Sequence, residues 1–195
     1  MINIELNNVS VKLGDNLIFK SVNLTIPNGQ YQLTGENGAG KSTLLQLLSG
    51  LITPTTGTLK LEDRTDLVAD SIQIPENMTV TTVFSLYDKY RRCNVAARDE
   101  LIDKFQFSDW LNSTVGELSQ GNQQKLKLIL ALSGTGTWLL LDEPFNGLDS
   151  ASVAMLNQSL AGIQRPFIVI DHSGQLTTMH PRRNLHIENK SVALA

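Results

Sequence analysis

The chain contains, from Gly35 to Ser42, the stretch Gly-Glu-Asn-Gly-Ala-Gly-Lys-Ser, which fits the pattern G-x-x-x-x-G-K-[ST]. Glycines let a backbone wrap closely around phosphate groups, and the N–H groups of such a loop and of the helix after it favour negative charge. Lys41 is placed to reach β- and γ-phosphates, and Ser42 offers a hydroxyl to Mg²⁺. The stretch therefore predicts a phosphate-binding loop between a strand and a helix.

The residues around this loop predict strands before it and a helix after it. Apolar residues alternate with polar ones from Ile4 to Leu13, and a second strand-like stretch runs from Leu17 to Ile26. A short strand from Tyr31 to Thr34 leads directly into the loop. After the loop, four leucines between Lys41 and Ser49 lie on one side of a helix. A small antiparallel β layer therefore precedes the predicted nucleotide site.

Beyond the first helix, the spacing of the apolar residues predicts further strands and then helices. Leu59 to Leu61 and Leu67 to Ile74 indicate two further strands, and from Thr79 onward apolar residues recur at helical spacing. The all-apolar segments 138–141 and 167–170 flank a predicted helix at 151–164. This order is typical of a βαβ unit with parallel strands covered on both faces. The last residues, 184–194, predict a closing hairpin.

Two carboxylates follow the first of these buried strands. Asp142 and Glu143 stand directly after Leu141, at the carboxyl end of the strand, where open α/β sheets bind ligands. Beside a phosphate loop, Asp142 is a candidate to hold Mg²⁺ and Glu143 a candidate to polarise an attacking water. Taken alone, the pair also fits ordinary acidic residues at a strand end.

Composition narrows the classes of function. Sixteen Lys and Arg against nineteen Asp and Glu give a formal net charge of −3, so the chain lacks the overall basic footprint of nucleic-acid binders. The single cysteine, Cys93, excludes an internal disulfide. No apolar run approaches the roughly 18 residues needed to cross a bilayer. We therefore expect no nucleic-acid partner and no direct membrane insertion.

A second stretch is more specific than the phosphate loop. Residues 118–125 read Leu-Ser-Gln-Gly-Asn-Gln-Gln-Lys, a Leu-Ser-x-Gly-x-Gln segment ahead of a helix. The chain resembles the ATP-binding cassette (ABC) ATPases nearly end to end. Five motifs of that family match in order and in approximate spacing, namely Walker A (35–43), signature (118–125), Walker B (139–144), D-loop (146–149) and the switch histidine (His172).

The resemblance implies an α/β fold of the P-loop NTPase type. Its core would be a mixed or parallel sheet, with an N-terminal antiparallel β subdomain and an inserted helical subdomain. A single nucleotide-binding domain would span residues 1–195. Residues 1–75 and 120–195 would form the RecA-like core with its β layer, and residues 76–119 the helical subdomain.

The resemblance also implies roles for individual residues. Glu143, His172 and Gln73 would be catalytic, and Ser42, Asp142 and Gln73 would hold the metal. ATP and Mg²⁺ are the expected cofactors. ATP would be bound by the loop residues Gly35, Asn37, Gly38, Ala39, Gly40, Lys41, Ser42 and Thr43.

The signature residues are expected to act on the nucleotide of another subunit. Ser119 can cap the helix that Gly121 opens, which presents a hydroxyl, backbone N–H groups and a positive dipole end to a phosphate. In the family this phosphate belongs to ATP held by the second subunit. Ser119, Gln120 and Gly121 would then act in trans, and Asp149 would line the dimer seam. The partner would be a second copy of the chain or another ABC ATPase subunit.

Two positions depart from the family pattern or blur it. The family's sensing loop carries a glutamine after a strand, which aligns with Gln73; Glu76 is the alternative. Leu13 stands where the family commonly has an aromatic residue that stacks on adenine. This departure predicts weaker base stacking and looser nucleotide selectivity.

The function implied is ATP hydrolysis that drives substrate transport, with the transmembrane permease on a separate chain. The protein would be cytoplasmic and peripheral to the membrane through that permease, whose helix would enter a groove beside the helical subdomain. Aromatic residues of that subdomain would either form its core or face the groove. Two alternatives are a soluble ABC ATPase without a transport role and an ATP-dependent clamp with low turnover. Glu143 and His172 weigh against the clamp.

Overall fold

The computed structural model describes residues 3–91, 93–177 and 183–195. Within these residues the helices are α1 (Lys41–Leu48), α2 (Val80–Arg91), α3 (Val95–Lys104), α4 (Gln120–Ser133) and α5 (Ser150–Gly162), with two short 3₁₀ turns at Ser108–Trp110 and Val115–Glu117. The strands are β1 (Ile4–Leu13), β2 (Asn16–Ile26), β3 (Gln30–Gly35), β4 (Thr56–Lys60), β5 (Thr65–Val68), β6 (Trp138–Asp142), β7 (Phe167–Ile170), β8 (Arg183–Glu188) and β9 (Ser191–Leu194).

The smaller of two sheets is antiparallel and has the order β2-β1-β4. The alternation of β1 buries Ile4 and Leu6 on the inner face, as the sequence pattern predicts. The β4 strand approaches β1 very closely at Gly57. That residue has φ +83°, and a Cβ there would lie 2.2 Å from the carbonyl oxygen of Asn8, so only glycine fits.

The larger sheet has the order β5-β6-β7-β3-β8-β9. Its first five strands in this order are parallel, and β9 closes the edge as an antiparallel hairpin with β8. The strands β6 and β7 are buried at every apolar position, which confirms the parallel pair predicted from their composition. The closing hairpin at the end of the chain is also confirmed.

This topology brings three strand ends to one edge. The parallel strands β3, β6 and β7 are neighbours, and their carboxyl ends lead into the phosphate loop, into Glu143 and into His172. Ligands bind at the carboxyl edge of open α/β sheets because loops there converge. The fold class predicted from sequence is confirmed, and it places the candidate site at this edge.

Two apolar clusters hold the layers together. One fills the space between α1, the small sheet and one face of the large sheet, and it includes Leu44, Leu45 and Tyr31. The other lies between the opposite face of the large sheet and α2, α3 and α4. The nucleotide edge is therefore supported from both faces of the sheet.

The strand predicted from Leu67 to Ile74 is wrong beyond Val68. The strand β5 begins earlier, at Thr65, and pairs with β6 only as far as Val68 opposite Leu141. Its partner β6 ends one residue later, so no ladder remains to extend. Residues 69–78 have turns at 70–71 and at 76–77 and are otherwise irregular, and Pro75 has no N–H to donate to a ladder.

The aromatic residues of the helical region divide into two groups. Phe84, Phe105 and Phe107 are buried in the cluster beneath α2 and α3. Tyr90, in contrast, is 64% exposed near the end of α2. Core packing is therefore confirmed for these three phenylalanines, whereas Tyr90 is exposed. None of the helices in the described ranges combines the length and the apolar character needed to cross a membrane.

Candidate nucleotide-binding and catalytic site

The phosphate loop joins β3 to α1 and is curled around the side chain of Lys41. The Nζ atom of Lys41 donates to the carbonyl oxygens of Gly35 at 2.9 Å and Glu36 at 2.8 Å. The side chain is buried even though it carries a charge. These carbonyls hold the ammonium group beside the N-terminus of α1, where an anion is favoured.

The glycines of the loop are required by its backbone. Gly38 and Gly40 have φ values of +79° and +103°, in the left-handed region. Gly40 is also the N-cap of α1, and a Cβ there would lie 2.6 Å from Cγ2 of Ile18. Ile18, in β2, therefore packs directly against the loop.

The loop faces a cleft of about 320 Å³ at the carboxyl edge of the large sheet. The cleft joins most of the predicted nucleotide-binding residues to the acidic pair and the histidine. It is lined by Ile18, Asn37, Gly38, Gly40, Lys41, Ser42, Thr43, Asp142, Glu143, Ile170 and His172.

Asp142 lies at the end of β6 beside the start of α1. Burial raises the pKa of its carboxyl group, while a hydrogen bond from the Ser42 hydroxyl and the charge of Lys41 act in the opposite direction. The Ser42 and Asp142 oxygens therefore lie together in the cleft. This pair is an oxygen-rich group of the kind that a hard cation such as Mg²⁺ prefers.

Glu143 combines an unusual backbone conformation with an unsatisfied oxygen. Its φ of +48° lies in the left-handed region, which is strained for a residue with a side chain. Oε2 accepts a hydrogen bond from the backbone N–H of His172 at 3.2 Å. Oε1 is buried without a hydrogen-bond partner and lies 3.5 Å from Nε2 of His172. Burial raises the pKa of this carboxyl group, and the His172 N–H partly offsets the increase.

The loop after β7 positions His172. Asp171 accepts hydrogen bonds from the backbone N–H groups of Ser173 and Leu176, each at 2.9 Å. These bonds fold the loop around the Asp171 carboxylate. His172 is thereby held at the mouth of the cleft with its side chain about half exposed.

The signature residues lie outside this cleft. Ser119 is the N-cap of α4, and its side chain accepts from the N–H of Asn122 at 3.3 Å. Ser119 and Gln120 are exposed to solvent. A Cβ on Gly121 would lie 2.6 Å from the carbonyl oxygen of Gly147, so α4 begins in direct contact with the segment after the acidic pair.

Asp149 caps α5 and pairs with α4. Its carboxylate accepts from the Ser152 N–H at 2.8 Å and from Lys125 Nζ at 3.0 Å. The Ser152 hydrogen bond and then the Lys125 contact lower the pKa of Asp149 to about 2. The carboxylate is therefore ionised, and it remains largely exposed.

Gln73 and Glu76 do not line the cleft. Both face a separate cavity of about 610 Å³ between the loop after β5 and the first turns of α4. Leu13, at the end of β1, is 42% exposed and is likewise not part of the cleft wall. The structure thus brings Lys41, Ser42, Asp142, Glu143 and His172 together and leaves the sensing-loop residues apart.

Sequence reasoning missed three residues that shape the site. Ile18 forms part of the cleft wall, Asp171 folds the histidine loop, and Lys125 ties α4 to Asp149. Lys125 stands in the signature stretch, but its partner is 24 residues away and no local pattern marks the pair. Asp171 could have been suspected, because it follows directly after a buried strand.

A phosphate loop that faces an acidic pair at the carboxyl edge of a parallel sheet defines the class of P-loop nucleoside triphosphatases. The family model described as "ABC transporter" matches residues 19–146. The chain belongs to this family, as one of its ATP-binding subunits.

The curated relatives described next are named as ATP-binding proteins of transport or export systems. The chain is 29% identical over 187 residues to the biotin transport ATP-binding protein BioM of Rhodobacter capsulatus. The aligned region covers 87% of this chain and 80% of that protein. It is 32% identical over 143 residues to the cytochrome c biogenesis ATP-binding export protein CcmA of Novosphingobium aromaticivorans, covering 72% of each. Two further relatives, both ABC transporter ATP-binding proteins, are longer, and the chain spans 60% and 64% of their lengths.

The fold also matches solved structures. A dimeric ATP-binding cassette in a post-hydrolysis state, bound to ADP and phosphate, superposes with a TM-score of 0.80. The match covers 97% of this chain and 96% of the other, at 22% sequence identity. The likeness confirms the fold over nearly the whole chain.

Proposed function

We propose that the chain drives substrate transport as one of two cassettes that close on ATP, attached to a transmembrane permease on a separate chain. The observation that carries the proposal is the cleft in which the phosphate loop meets Asp142, Glu143 and His172. Together these residues would bind phosphate and activate water at one place.

ATP would be held mainly through its phosphates. The loop N–H groups of residues 35–43 and the N-terminus of α1 supply donors, and Lys41 adds a positive charge. The carbonyls that hold Lys41 belong to the loop itself, so a short side-chain rotation would bring its Nζ to the β- and γ-phosphates. The base would contact Ile18, with little stacking from the exposed Leu13.

We propose Mg²⁺ as the cofactor. The Ser42 hydroxyl and the Asp142 carboxylate already lie together in the cleft, which fits a magnesium ion that also binds phosphate oxygens and water. Gln73 would join this site when its loop moves toward bound nucleotide. Bound Mg²⁺ would neutralise charge on the phosphates.

Hydrolysis would be phosphoryl transfer to water. Glu143 Oε1 is buried and has no hydrogen-bond partner, so it is available to accept a proton from the attacking water. The water oxygen would bond to the γ-phosphorus as the bond to the ADP oxygen breaks, which gives ADP and phosphate. His172, held beside Glu143 by the Asp171 loop, would donate to the γ-phosphate and orient the water.

The exposed signature segment supports a dimer. Ser119 and Gln120 are exposed to solvent and do not line the cleft. They stand at the N-terminus of α4, where the helix dipole is positive and favours an anion. A phosphate on a second subunit would satisfy these donors. The dimer would be a homodimer, or a heterodimer with another ABC ATPase subunit, with Asp149 along the seam.

A groove beside α2 supports a permease partner. The groove has a volume of about 360 Å³ and lies between α2, α4 and the loop after β5. Three large apolar side chains at its walls are exposed, Leu51 at 52%, Leu86 at 39% and Tyr90 at 64%. An apolar helix of the permease would cover them and hold the chain at the cytoplasmic face of the membrane.

The test of the hydrolytic site uses two variants. Glu143→Gln should lower ATP turnover about a hundredfold or more and trap an ATP-bound dimer, because binding remains while the proton acceptor is lost. Lys41→Ala should also lose turnover but should stay monomeric, because phosphate binding is lost. Phosphate release and light-scattering mass measure the two effects. Glu62→Gln, an exposed carboxylate outside the cleft, serves as the control and should match the parent.

Two results would contradict the proposal. Unchanged hydrolysis in Lys41→Ala would rule out the phosphate loop as the ATP site. A folded Glu143→Gln protein that stays monomeric with ATP would remove the support for the two-cassette arrangement.

A further inference from the structure

Asp66 in β5 carries a buried carboxylate that three elements share. Its side chain is 2% exposed. Oδ2 accepts from the Gly136 N–H at 2.9 Å and from the guanidinium group of Arg165. Oδ1 accepts from the hydroxyl of Tyr87 at 2.9 Å. A buried charge of this kind is tolerated because it is paired and hydrogen-bonded on all sides.

The core side of this group is built around the carboxylate. A Cβ on Gly134 or on Gly136 would lie within 3 Å of Asp66 Oδ2, so both positions leave space for it. Arg165, in the turn before β7, also donates to the carbonyl oxygens of Gly136 and Ala131. Asp66 and Arg165 therefore form a fixed anchor that joins β5, the end of α4 and the start of β7.

Tyr87 approaches this anchor from the helical region. It lies on α2, and its hydroxyl reaches across to the core carboxylate. Burial and the adjacent Asp66 carboxylate raise the pKa of Tyr87 above its usual range, so its hydroxyl stays a donor at every physiological pH. The last turns of α2 are thereby fastened to the large sheet.

The first turn of α2 is fastened to the segment that precedes the signature. The N–H groups of Val80 and Thr81 donate to the carbonyl oxygens of Ser113 and Leu111 at 3.0 and 3.1 Å. Residues 114–117 then form a capped 3₁₀ turn, and Ser119 follows two residues later. A 12-residue helix is a stiff rod about 18 Å long. It therefore connects the Asp66 anchor to the signature segment.

We propose that Tyr87 is a positioning residue for ATP hydrolysis, whose hydrogen bond to Asp66 sets the orientation of α2 and, through residues 111–118, the position of Ser119. This role rests on the proposed two-cassette arrangement, in which Ser119 contacts the second nucleotide. Without the hydroxyl the Tyr87 ring still packs and Asp66 still pairs with Arg165. The helix α2 and the residues packed around it then keep their fold, but the orientation of α2 relative to the large sheet is no longer fixed.

The test variant is Tyr87→Phe, and Tyr31→Phe is its matched control. The Tyr31 hydroxyl also makes an internal hydrogen bond, to the Pro27 carbonyl oxygen at 2.9 Å, but it lies in the core beneath the small sheet. Both variants lose a hydroxyl of the same kind, and Tyr31 has no link to α2. Turnover at saturating ATP, affinity of the monomer for a fluorescent ATP analogue with Mg²⁺, and melting temperature are measured for each.

Tyr87→Phe should lower kcat about tenfold, because a small displacement of a group that contacts the transition state is costly. Its affinity for the nucleotide analogue should stay within about twofold of the parent, because the phosphate loop is untouched. In a Glu143→Gln background it should also raise the protein concentration needed for the ATP-bound dimer. Tyr31→Phe should also lower the melting temperature, while keeping kcat and dimerisation.

The outcomes separate the two claims. A Glu143→Gln parent that does not dimerise with ATP contradicts the two-cassette arrangement on which the role depends. A parent that dimerises, with Tyr87→Phe behaving as Tyr31→Phe does in kcat and in dimer formation, overturns the role of Tyr87 alone. Equal loss of nucleotide affinity and kcat in Tyr87→Phe would also overturn it, because that result indicates general damage to the fold.

Discussion

At the scale of single residues, Glu143 combines three unfavourable features at one position in the cleft. It has a left-handed backbone, a carboxyl group whose pKa is raised by burial, and one buried oxygen without a partner. Each feature destabilises the folded protein, and each suits a residue that must accept a proton from water. Strain and desolvation of this kind are typical of catalytic positions.

Glu143→Gln should therefore stabilise the protein at neutral pH. The folded pKa of Glu143 lies above its unfolded value, so ionisation costs folding free energy at pH values above the folded pKa. Below the unfolded pKa the group is protonated in both states and the cost disappears. We expect a higher melting temperature for Glu143→Gln than for the parent at pH 7.5. Calorimetry should show the gain shrinking toward pH 4.

Glu117→Gln provides a control of opposite sign. The backbone N–H and the hydroxyl of Thr114 lower the pKa of Glu117, so its ionised form stabilises the fold. Its replacement should lower the melting temperature at pH 7.5, and the difference should fade as the pH drops through the folded pKa. A Glu143→Gln protein that is less stable than its parent at pH 7.5 would contradict the desolvation argument.

At the scale of secondary-structure elements, the contact between α4 and the segment after β6 links the signature to the acidic pair. Gln124 Nε2 donates to the Pro144 carbonyl oxygen at 3.0 Å, one turn after the Gly121 contact. Lys125 then pairs with Asp149 at the start of α5. These contacts join the signature helix and the residues that follow Glu143 in one packed unit.

Gly121→Ala should disrupt this unit. Its new Cβ would meet the Gly147 carbonyl oxygen at 2.6 Å, and a backbone atom cannot move aside cheaply. We expect a loss of about 1–3 kcal/mol in stability together with reduced ATP turnover. Chemical denaturation and phosphate release measure the two effects.

Gly162→Ala is the matched control for this substitution. It lies at the end of α5 with nothing within 4 Å of the added Cβ, and it should gain about 0.5–1 kcal/mol. A Gly121→Ala protein as stable as its parent would show that α4 is not pressed against Gly147.

Much of this arrangement could be predicted from local sequence. Strong alternation marks β1, and all-apolar runs mark β6 and β7, because one or both faces of these strands are buried. The glycine pattern marks the phosphate loop, since only glycine adopts its backbone at Gly40. These signals depend on neighbouring residues and are therefore visible in the sequence.

The rest depends on partners far apart in the chain. The strand β5 could not be bounded, because it begins at Thr65 and Asp66, polar residues that are buried only through contacts elsewhere. Asp66 meets Tyr87 across 21 residues and Arg165 across 99. No local sequence pattern indicates such a pairing. Neither the anchor formed by Asp66 and Arg165 nor its link to α2 could therefore be predicted.

At the scale of the whole molecule, the residues of the cleft and the signature residues lie at separate places on the surface. The phosphate loop, Asp142, Glu143 and His172 share one cleft, whereas Ser119 is exposed outside it. In the proposed arrangement, Ser119 therefore contacts the nucleotide that another copy of the chain holds. Two copies placed head to tail would complete two sites at once.

Complementation of inactive variants tests this central claim most directly. Lys41→Ala and Ser119→Arg should each abolish ATP turnover when pure, because two copies of either variant cannot form an intact composite site. In a mixed dimer both changes fall in the same composite site and the other site is intact. Equal mixing should therefore restore roughly a quarter of the parent turnover. A mixture that forms dimers and remains inactive would contradict the trans role of Ser119.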